Sequence, residues 1–306
     1  MFAHIDADLL VYRCGFAAER NRWYVGYNKA APDLQTLGWD TIVEFDYKRE
    51  AMDYLDRKFP NLMTRRDGID FELWSERFCE PVENALHNVK VTVENIVDKL
   101  QPEDFNLYLS GPTNYRNDIA ETRIYKGNRD PSHQPTHKQA IINYMKKNYD
   151  HVVSDGEEAD DVVGYSHYEM YKADPAGTVI VSTDKDLDMI PGLHYNFVKE
   201  EHYNVTEESA ERSFWTQMLT GDTSDNIPGL KGVGIQTAKK WIDHLPIEDV
   251  PYEVWTRYVS KVGDKAQDYF TEMGQLLWIR REREEIWTPP AFEEQSYEAD
   301  EVSLFD

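Results

Sequence analysis

Residues 178–186 read Thr178-Val179-Ile180-Val181-Ser182-Thr183-Asp184-Lys185-Asp186, an apolar run that stops in an acidic turn. A short run of this kind predicts a buried strand, and alternate residues beyond it point the same way. Asp184 and Asp186 can therefore reach one ligand. The chain opens similarly, since Phe2-Ala3-His4-Ile5-Asp6 reads as a short buried strand ending in an acid, before the apolar Leu9-Leu10-Val11-Tyr12. Further strands are predicted at 106–109 and 151–153 and near 195–198. Helical periodicity spans 83–100, 137–148, 159–172 and 207–219. Strands alternating with such helices predict an α/β fold, a mostly parallel central sheet flanked by helices. Ligands of such sheets gather at the carboxyl ends of the strands.

Around that framework the sequence is less regular. The stretch 19–81 has weak periodicity, although 23–27 and 41–45 are able to pair as a small hairpin-like subdomain. Residues 111–135 are polar, basic and irregular. From 287 on the chain reads as an acidic tail.

Bulk properties exclude little. The 306 residues are 41% hydrophobic and 13% aromatic, enough for a large core. No apolar run is long enough to span a bilayer and the first residues lack a signal peptide, so no membrane partner is expected. The two cysteines, Cys14 and Cys79, lie in no metal-ligand spacing; reduced thiols and a cytoplasmic location are the expectation. The formal net charge of −24 argues against a nucleic-acid partner until its distribution is considered. Residues 282–306 are strongly acidic, whereas Arg116, Arg123, Lys126, Arg129, Lys138, Lys146 and Lys147 dominate 116–147. Lys231, Lys239 and Lys240 form a second basic group.

The acids themselves form a pattern. In Glu157-Glu158-Ala159-Asp160-Asp161, positions 158 and 161 share a helix face if a helix starts there. Acids at a helix N-terminus also suit the macrodipole, a purely structural explanation. Gly221-Asp222-Thr223-Ser224-Asp225-Asn226 places two further acids beside a turn. Together with Asp6, Asp184 and Asp186, these groups would converge on one sheet edge. Their repulsion would be costly there unless cations held them. Oxygen donors without His or Cys suit Mg²⁺ or Mn²⁺, and two such ions support phosphodiester hydrolysis.

Ile5-Asp6, Glu158-Ala159-Asp160-Asp161, Ser182-Thr183-Asp184-Lys185-Asp186 and the run from Leu219 through Gly221-Asp222-Thr223-Ser224-Asp225-Asn226-Ile227-Pro228 to Gly229 occur in that order. The set resembles the 5′-nuclease (flap endonuclease-like) family, most of all bacteriophage and bacterial 5′→3′ exonucleases. The likeness covers residues 1–12 and about 84–245. It implies a PIN-like nuclease core over 1–200, with an insertion at about 19–81 and an arch at about 111–135. A helical region at 201–285 and an acidic tail at 286–306 complete the expected organisation.

The resemblance implies that Asp6, Glu158, Asp160 and Asp161 hold a first metal ion, and that Asp184, Asp186, Asp222 and Asp225 serve a second or bridge the two. Asp155 and Asp188 would be structural. A helix–three-turn–helix is implied around Gly229-Leu230-Lys231-Gly232-Val233-Gly234, with Lys231, Gly232, Gly234 and Lys239 on the duplex backbone. Close glycines let backbone N–H groups approach a phosphate. In the arch, Tyr115, Arg116, Tyr125, Lys126 and Arg129 would meet nucleic acid: Lys126 and Arg129 as catalytic cations at the scissile phosphate, Tyr125 by stacking. One departure stands out. The family usually has an Asp at the end of the strand before the arch, where this chain has Ser110. Replacing Ser110 with Asp is therefore expected to lower the Mg²⁺ requirement.

The function implied is 5′→3′ exonuclease or 5′-flap endonuclease action on DNA ends, flaps or nicks, with RNA–DNA hybrids a further substrate. A non-catalytic, structure-specific DNA-binding module and a PIN-type ribonuclease are the competing readings. At the end of the chain, Glu301-Val302-Ser303-Leu304-Phe305 resembles a sliding-clamp-binding peptide, a partner weighed equally against a plain acidic end.

Overall fold

The strands of the computed structural model, in chain order, are β1 (Phe2–Asp6), β2 (Glu19–Tyr27), β3 (Thr41–Phe45), β4 (Phe71–Cys79), β5 (Asp104–Leu109), β6 (His151–Val153), β7 (Thr178–Val181), β8 (Gly192–Asn196) and β9 (Glu201–Val205). The helices are α1 (Ala7–Ala17), α2 (Lys48–Lys58), α3 (Val82–Leu100), α4 (Arg116–Ile119), α5 (Lys138–Asn148), α6 (Ala159–Ala173), α7 (Glu207–Thr220), α8 (Ile235–Ile242), α9 (Val250–Val262) and α10 (Ala266–Leu277). The structure describes residues 1–27, 39, 41–59 and 71–292. The clamp-like segment 301–305 and most of the expected tail lie outside them.

The chain divides into two units: Met1–Asp8, Pro102–His133 and everything from Asp150 on, against Leu9–Gln101 and Gln134–Tyr149. This redraws the expected organisation, because α3 and α5 belong with the second unit rather than with the sheet.

The first unit carries the six-stranded sheet, ordered β6-β5-β1-β7-β8-β9. All neighbours run parallel except β9, which turns back along β8. β1 is central, with Ile5 level with Leu107 on one side and Val181 on the other. Ala3, Ile5, Leu107, Val179, Ile180 and Val181 are fully enclosed, as apolar runs in a parallel sheet require. Helix α6 crosses β5, β1 and β7. Since the chain leaves β1 for β5 on one side and β7 on the other, the carboxyl end of β1 is the switch point where such sheets hold ligands.

A helical cluster continues this unit. Phe214 and Trp215 of α7 pack with Phe270 of α10 and with Trp287, whose ring lies against Gly274. Phe292 stacks on Trp255 with ring centres 5.6 Å apart. Trp287 and Phe292 thus pack into the core rather than trailing as a tail. These aromatics are what the acidic composition concealed.

In the second unit β2 pairs antiparallel with β3 and with β4. The expected hairpin is real and has a third strand. Ala51 and Leu55, one turn apart on α2, bury against Val25 and Tyr27.

Three buried histidines, His4, His167 and His194, lie in the sheet unit. Tyr108 Oη is 2.7 Å from His4 Nδ1, and His4 Nε2 is 3.0 Å from Thr178 Oγ1. Thr178 Oγ1 also lies 3.1 Å from His167 Nδ1, and His167 Nε2 donates to the Pro191 carbonyl. One proton per contact satisfies this chain only if both rings are neutral. Burial, with each ring's histidine neighbour adding to it, pushes His4 and His167 down to about 3. The unfolded chain protonates them near 6.5. Their contribution is therefore complete above 6.5 and is lost as pH falls toward 3. We expect the destabilisation caused by His167→Gln to shrink by about 2 kcal/mol between pH 6.5 and 5. Urea unfolding of both proteins at each pH checks this, and acid effects common to both cancel. A pH-independent difference would mean that His167 ionises alike folded and unfolded.

Candidate active site

Each element of the sheet unit delivers acids to the switch point. Asp6 closes β1 and is buried, accepting a hydrogen bond from Ser182 Oγ at 2.9 Å. Beyond β7 the chain enters a single 3₁₀ turn at Lys185–Met189. Asp184 caps that turn by accepting from the Asp186 N–H at 2.9 Å, which aims both carboxylates back at the edge. Glu158 and Asp160 flank the start of α6. Asp222 and Asp225 come from the loop after α7, where Asp222 pairs with Ile227 across a β-bridge.

Glycine permits that loop. Gly221 and Gly229 have φ of 69° and 56°, and a Cβ on either would sit 2.2 Å from backbone. A helix, a glycine-rich turn and a second helix follow one another as the motif predicted. Gly232 and Gly234 lie beside open space, and Lys231 and Lys239 are exposed.

Glu158, Asp160, Asp186, Asp222 and Asp225 line one cleft. Burial, then Asp6, Asp184 and Glu158, raise the Asp160 carboxyl well above the ordinary range. Burial, then Asp184 and Asp222, push Asp186 up to about 7. Asp184 is raised by burial and by Asp225 and Asp222. Asp222 is an exception. Burial acts upward on it too, but hydrogen bonds from Ser224 hold it below its usual value. Each upward shift records a negative charge that the local field opposes.

The sequence-predicted cations supply part of the offset. Lys126, at φ 54°, pairs with Glu158 and lies 3.6 Å from Asp225; Arg129 pairs with Asp225 at 2.5 Å. Both lysine and arginine stand beside the acids. No three acidic, histidine or cysteine side chains among the described residues meet tightly enough to form a finished metal-ligand set. In kind, the donors fit a hard divalent ion: they are carboxylate oxygens at a carboxyl edge, with no sulfur or imidazole among them.

Four expectations need correction. Asp161 is fully buried and binds Arg116 bidentately at 2.5 and 2.9 Å, with the Arg280 N–H as a further donor. Burial acts upward on its carboxyl, but the guanidinium holds it below the usual range. Asp161 is a counterion, not a metal ligand. Arg116 is correspondingly enclosed, donating also to the Leu276 and Trp278 carbonyls, and does not face nucleic acid. Tyr115 carries the guanidinium groups of Arg116 and Arg280 over its ring, 4.8 and 4.0 Å from the ring centre, so the ring is already engaged within the protein. Tyr125 is buried, its hydroxyl 2.9 Å from Glu158 and 2.7 Å from Asp225. It ties two carboxylates together rather than stacking.

The segment 111–133 is also laid down rather than open. Glu272 accepts the Glu121 and Thr122 N–H groups, and the Lys126 N–H donates to the Asp225 carbonyl at 2.9 Å. Ser110 does stand at the site, where its hydroxyl accepts the Ala159 N–H at 3.1 Å. Reading of the sequence passed over Asp8, although the D-x-D spacing at 6 and 8 was a signal for it. Asp155 and Asp188 accept hydrogen bonds from Thr113 and Tyr203, as structural acids do.

No family model matches the chain. Among curated proteins, it is 27% identical over 168 residues to a 5′-3′ exonuclease of Buchnera aphidicola, covering 50% of this chain and 58% of that one. To the flap endonuclease Xni of Vibrio atlanticus it is 32% identical over 139 residues, 40% and 52% of the two chains. A DNA polymerase I of Caldicellulosiruptor bescii is 29% identical over 168 residues, 48% of this chain and 19% of that one. The chain thus spans about a fifth of the polymerase and just over half of the shorter relatives. Among solved structures, the T5 D15 protein co-crystallized with metal ions superimposes with a TM-score of 0.53 at 13% identity, over 90% of this chain and 88% of that one. That likeness concerns fold. The likeness in sequence is to proteins named 5′-3′ exonuclease and flap endonuclease.

The Arg116–Asp161 pair generates a stability prediction. Breaking a buried pair leaves an uncompensated charge, so Asp161→Ala should cost about 3–5 kcal/mol in chelator. The double replacement Arg116→Met/Asp161→Leu should lose far less. Chemical denaturation of the three proteins decides the matter; equal losses in single and double variants would deny that the pair acts as a unit.

Proposed function

We propose that this chain, a relative of 5′-nucleases by motif order, sequence and fold, is a divalent-metal-dependent phosphodiesterase. It acts on DNA bearing 5′ ends, flaps or nicks, in replication, recombination or repair. The observation that carries this reading is the convergence of Asp6, Glu158, Asp160, Asp184, Asp186, Asp222 and Asp225 at the switch point, with Lys126 and Arg129 among them. Burial and like charge oppose the ionisation of Asp160 and Asp186 there, a repulsion that bound cations would relieve.

Asp6, Glu158 and Asp160 would hold one ion, and Asp184, Asp186, Asp222 and Asp225 a second or share it. Mg²⁺ or Mn²⁺, when bound, supplies charge neutralisation and an activated water for hydrolysis. Several features of the protein prepare for this. Ser182, Ser224 and Gln217 donate to Asp6, Asp222 and Asp186, fixing their orientation. Arg116 removes Asp161 from the negative field. Lys126 and Arg129, freed from Glu158 and Asp225, are positioned to meet a phosphate, whose charge grows as the bond breaks. The exposed Lys231 and Lys239, beside the backbone of Gly232 and Gly234, offer a separate hold on the duplex.

Digestion of end-labelled flap, nicked and blunt DNA with Mg²⁺ or Mn²⁺ tests the reading. Short products from the 5′ side are expected, none with chelator, and Asp160→Asn should abolish them while flap binding persists. Tight flap binding without cleavage under either ion would leave a binding module instead.

Lys126→Ala should slow cleavage far more than it weakens binding. One well-placed donor contributes roughly 3–4 kcal/mol to the reaction step. Binding is spread over many phosphates, so its salt slope should fall by only about one unit. Rate and affinity measured across a salt series separate the two, and equal losses would make Lys126 a tether.

A further inference from the structure

Asp6 ends β1 level with Tyr108 of β5; Asp8 follows in the first turn of α1 and Ser110 follows the end of β5. The Ser110 N–H donates to both carboxylate oxygens of Asp8, at 3.2 Å each. Ser110 Oγ accepts the Ala159 N–H, so the one proton of the hydroxyl remains available to Asp8. The same carboxylate stands in the field of Glu158 and Lys126, two members of the site already described.

From this juxtaposition we infer that Asp8 is a working carboxylate of the metal site, supplying from the first turn of α1 the charge that Ser110 does not carry. The inference rests on the metal-dependent reading above. An acid in a first helical turn has a structural use, and the two bonds from the Ser110 N–H express it. That use needs only an acceptor, which a neutral amide also provides. Ser110 Oγ also holds the Ala159 N–H, between Glu158 and Asp160, so a carboxylate bound to Ser110 adds its charge at the edge where those acids lie. Ser110 is then the right neighbour: a hydroxyl donates to Asp8, whereas a second carboxylate would only repel it. The gain in metal affinity expected of Ser110→Asp from sequence is then absent.

The test measures Mn²⁺ binding directly, by electron paramagnetic resonance of the free ion, with Asp160→Asn as a control for the site as a whole. Asp8→Asn retains an acceptor for the Ser110 N–H, so it should keep its melting temperature in chelator while losing about 10–100-fold in Mn²⁺ affinity. Ser110→Asp should melt earlier than wild type in chelator without binding Mn²⁺ more tightly. The exchange Asp8→Ser/Ser110→Asp should recover wild-type affinity to within a few fold. If Asp8→Asn binds Mn²⁺ like wild type while Asp160→Asn does not, Asp8 is structural and the inference fails alone. Wild-type protein that binds no Mn²⁺ overturns the metal reading and this inference with it.

Discussion

Carboxylates gathered at one edge of a sheet repel one another, and every nearby contact answers that repulsion. Two unit charges in the partly buried setting of a cleft interact far more strongly than in water. The sheet unit offsets this in three ways. Arg116 neutralises Asp161 completely and encloses the pair. Lys126 and Arg129 bridge Glu158 and Asp225 at the surface of the cleft. Hydroxyl and amide donors from Ser182, Ser224, Gln217 and Ser110 stabilise the acids one at a time. The offset is incomplete, as the raised Asp160 and Asp186 carboxyls show.

The division of labour between Asp161 and its neighbours follows from helix geometry. Asp161 is the third residue of α6 and accepts the Glu158 N–H, a capping contact that turns it into the protein. Asp160 projects from a different face and enters the cleft. Two adjacent acids thus take opposite roles because about 100° of helix separates them. Arg116 also accounts for the aromatic cluster beyond α10. By donating to the Leu276 and Trp278 carbonyls, it satisfies the end of that helix where the chain turns toward Trp287.

Much of this was legible in the sequence. The strands at 2–6, 106–109, 151–153 and 178–181 declared themselves because central parallel strands are apolar on both faces. β9 did not, because Glu201-His202-Tyr203-Asn204-Val205 is an edge strand with mostly exposed side chains. β4 was hidden in the same way, since most residues of Phe71–Cys79 are exposed and no apolar alternation marks them. At the site, the chain order of the acids was readable but their orientation was not. Arg116, Tyr115 and Tyr125 sit in a basic, polar stretch whose composition suggests a solvated surface. Arg116 and Tyr125 are buried and Tyr115 half-buried because their partners, Asp161, Arg280, Glu158 and Asp225, come from segments 33 to 165 residues away. Composition carries no record of such pairings.

Position 110 shows what a residue-by-residue comparison misses. A single strand read alone records the loss of a carboxylate at Ser110. Just beyond the ends of β1 and β5, the same place has a carboxylate arriving from Asp8, held by the Ser110 N–H. For a cluster answering to a cation, the field at the ion matters more than which strand supplies each charge, because Coulomb attraction depends on distance and not on connectivity. Hydrogen bonding is more exacting. One hydroxyl can serve the Ala159 N–H as acceptor and Asp8 as donor, a pair of roles that an ionised carboxylate cannot fill. The two positions are therefore coupled: charge can sit at position 8 or at position 110, but the residue opposite it must donate.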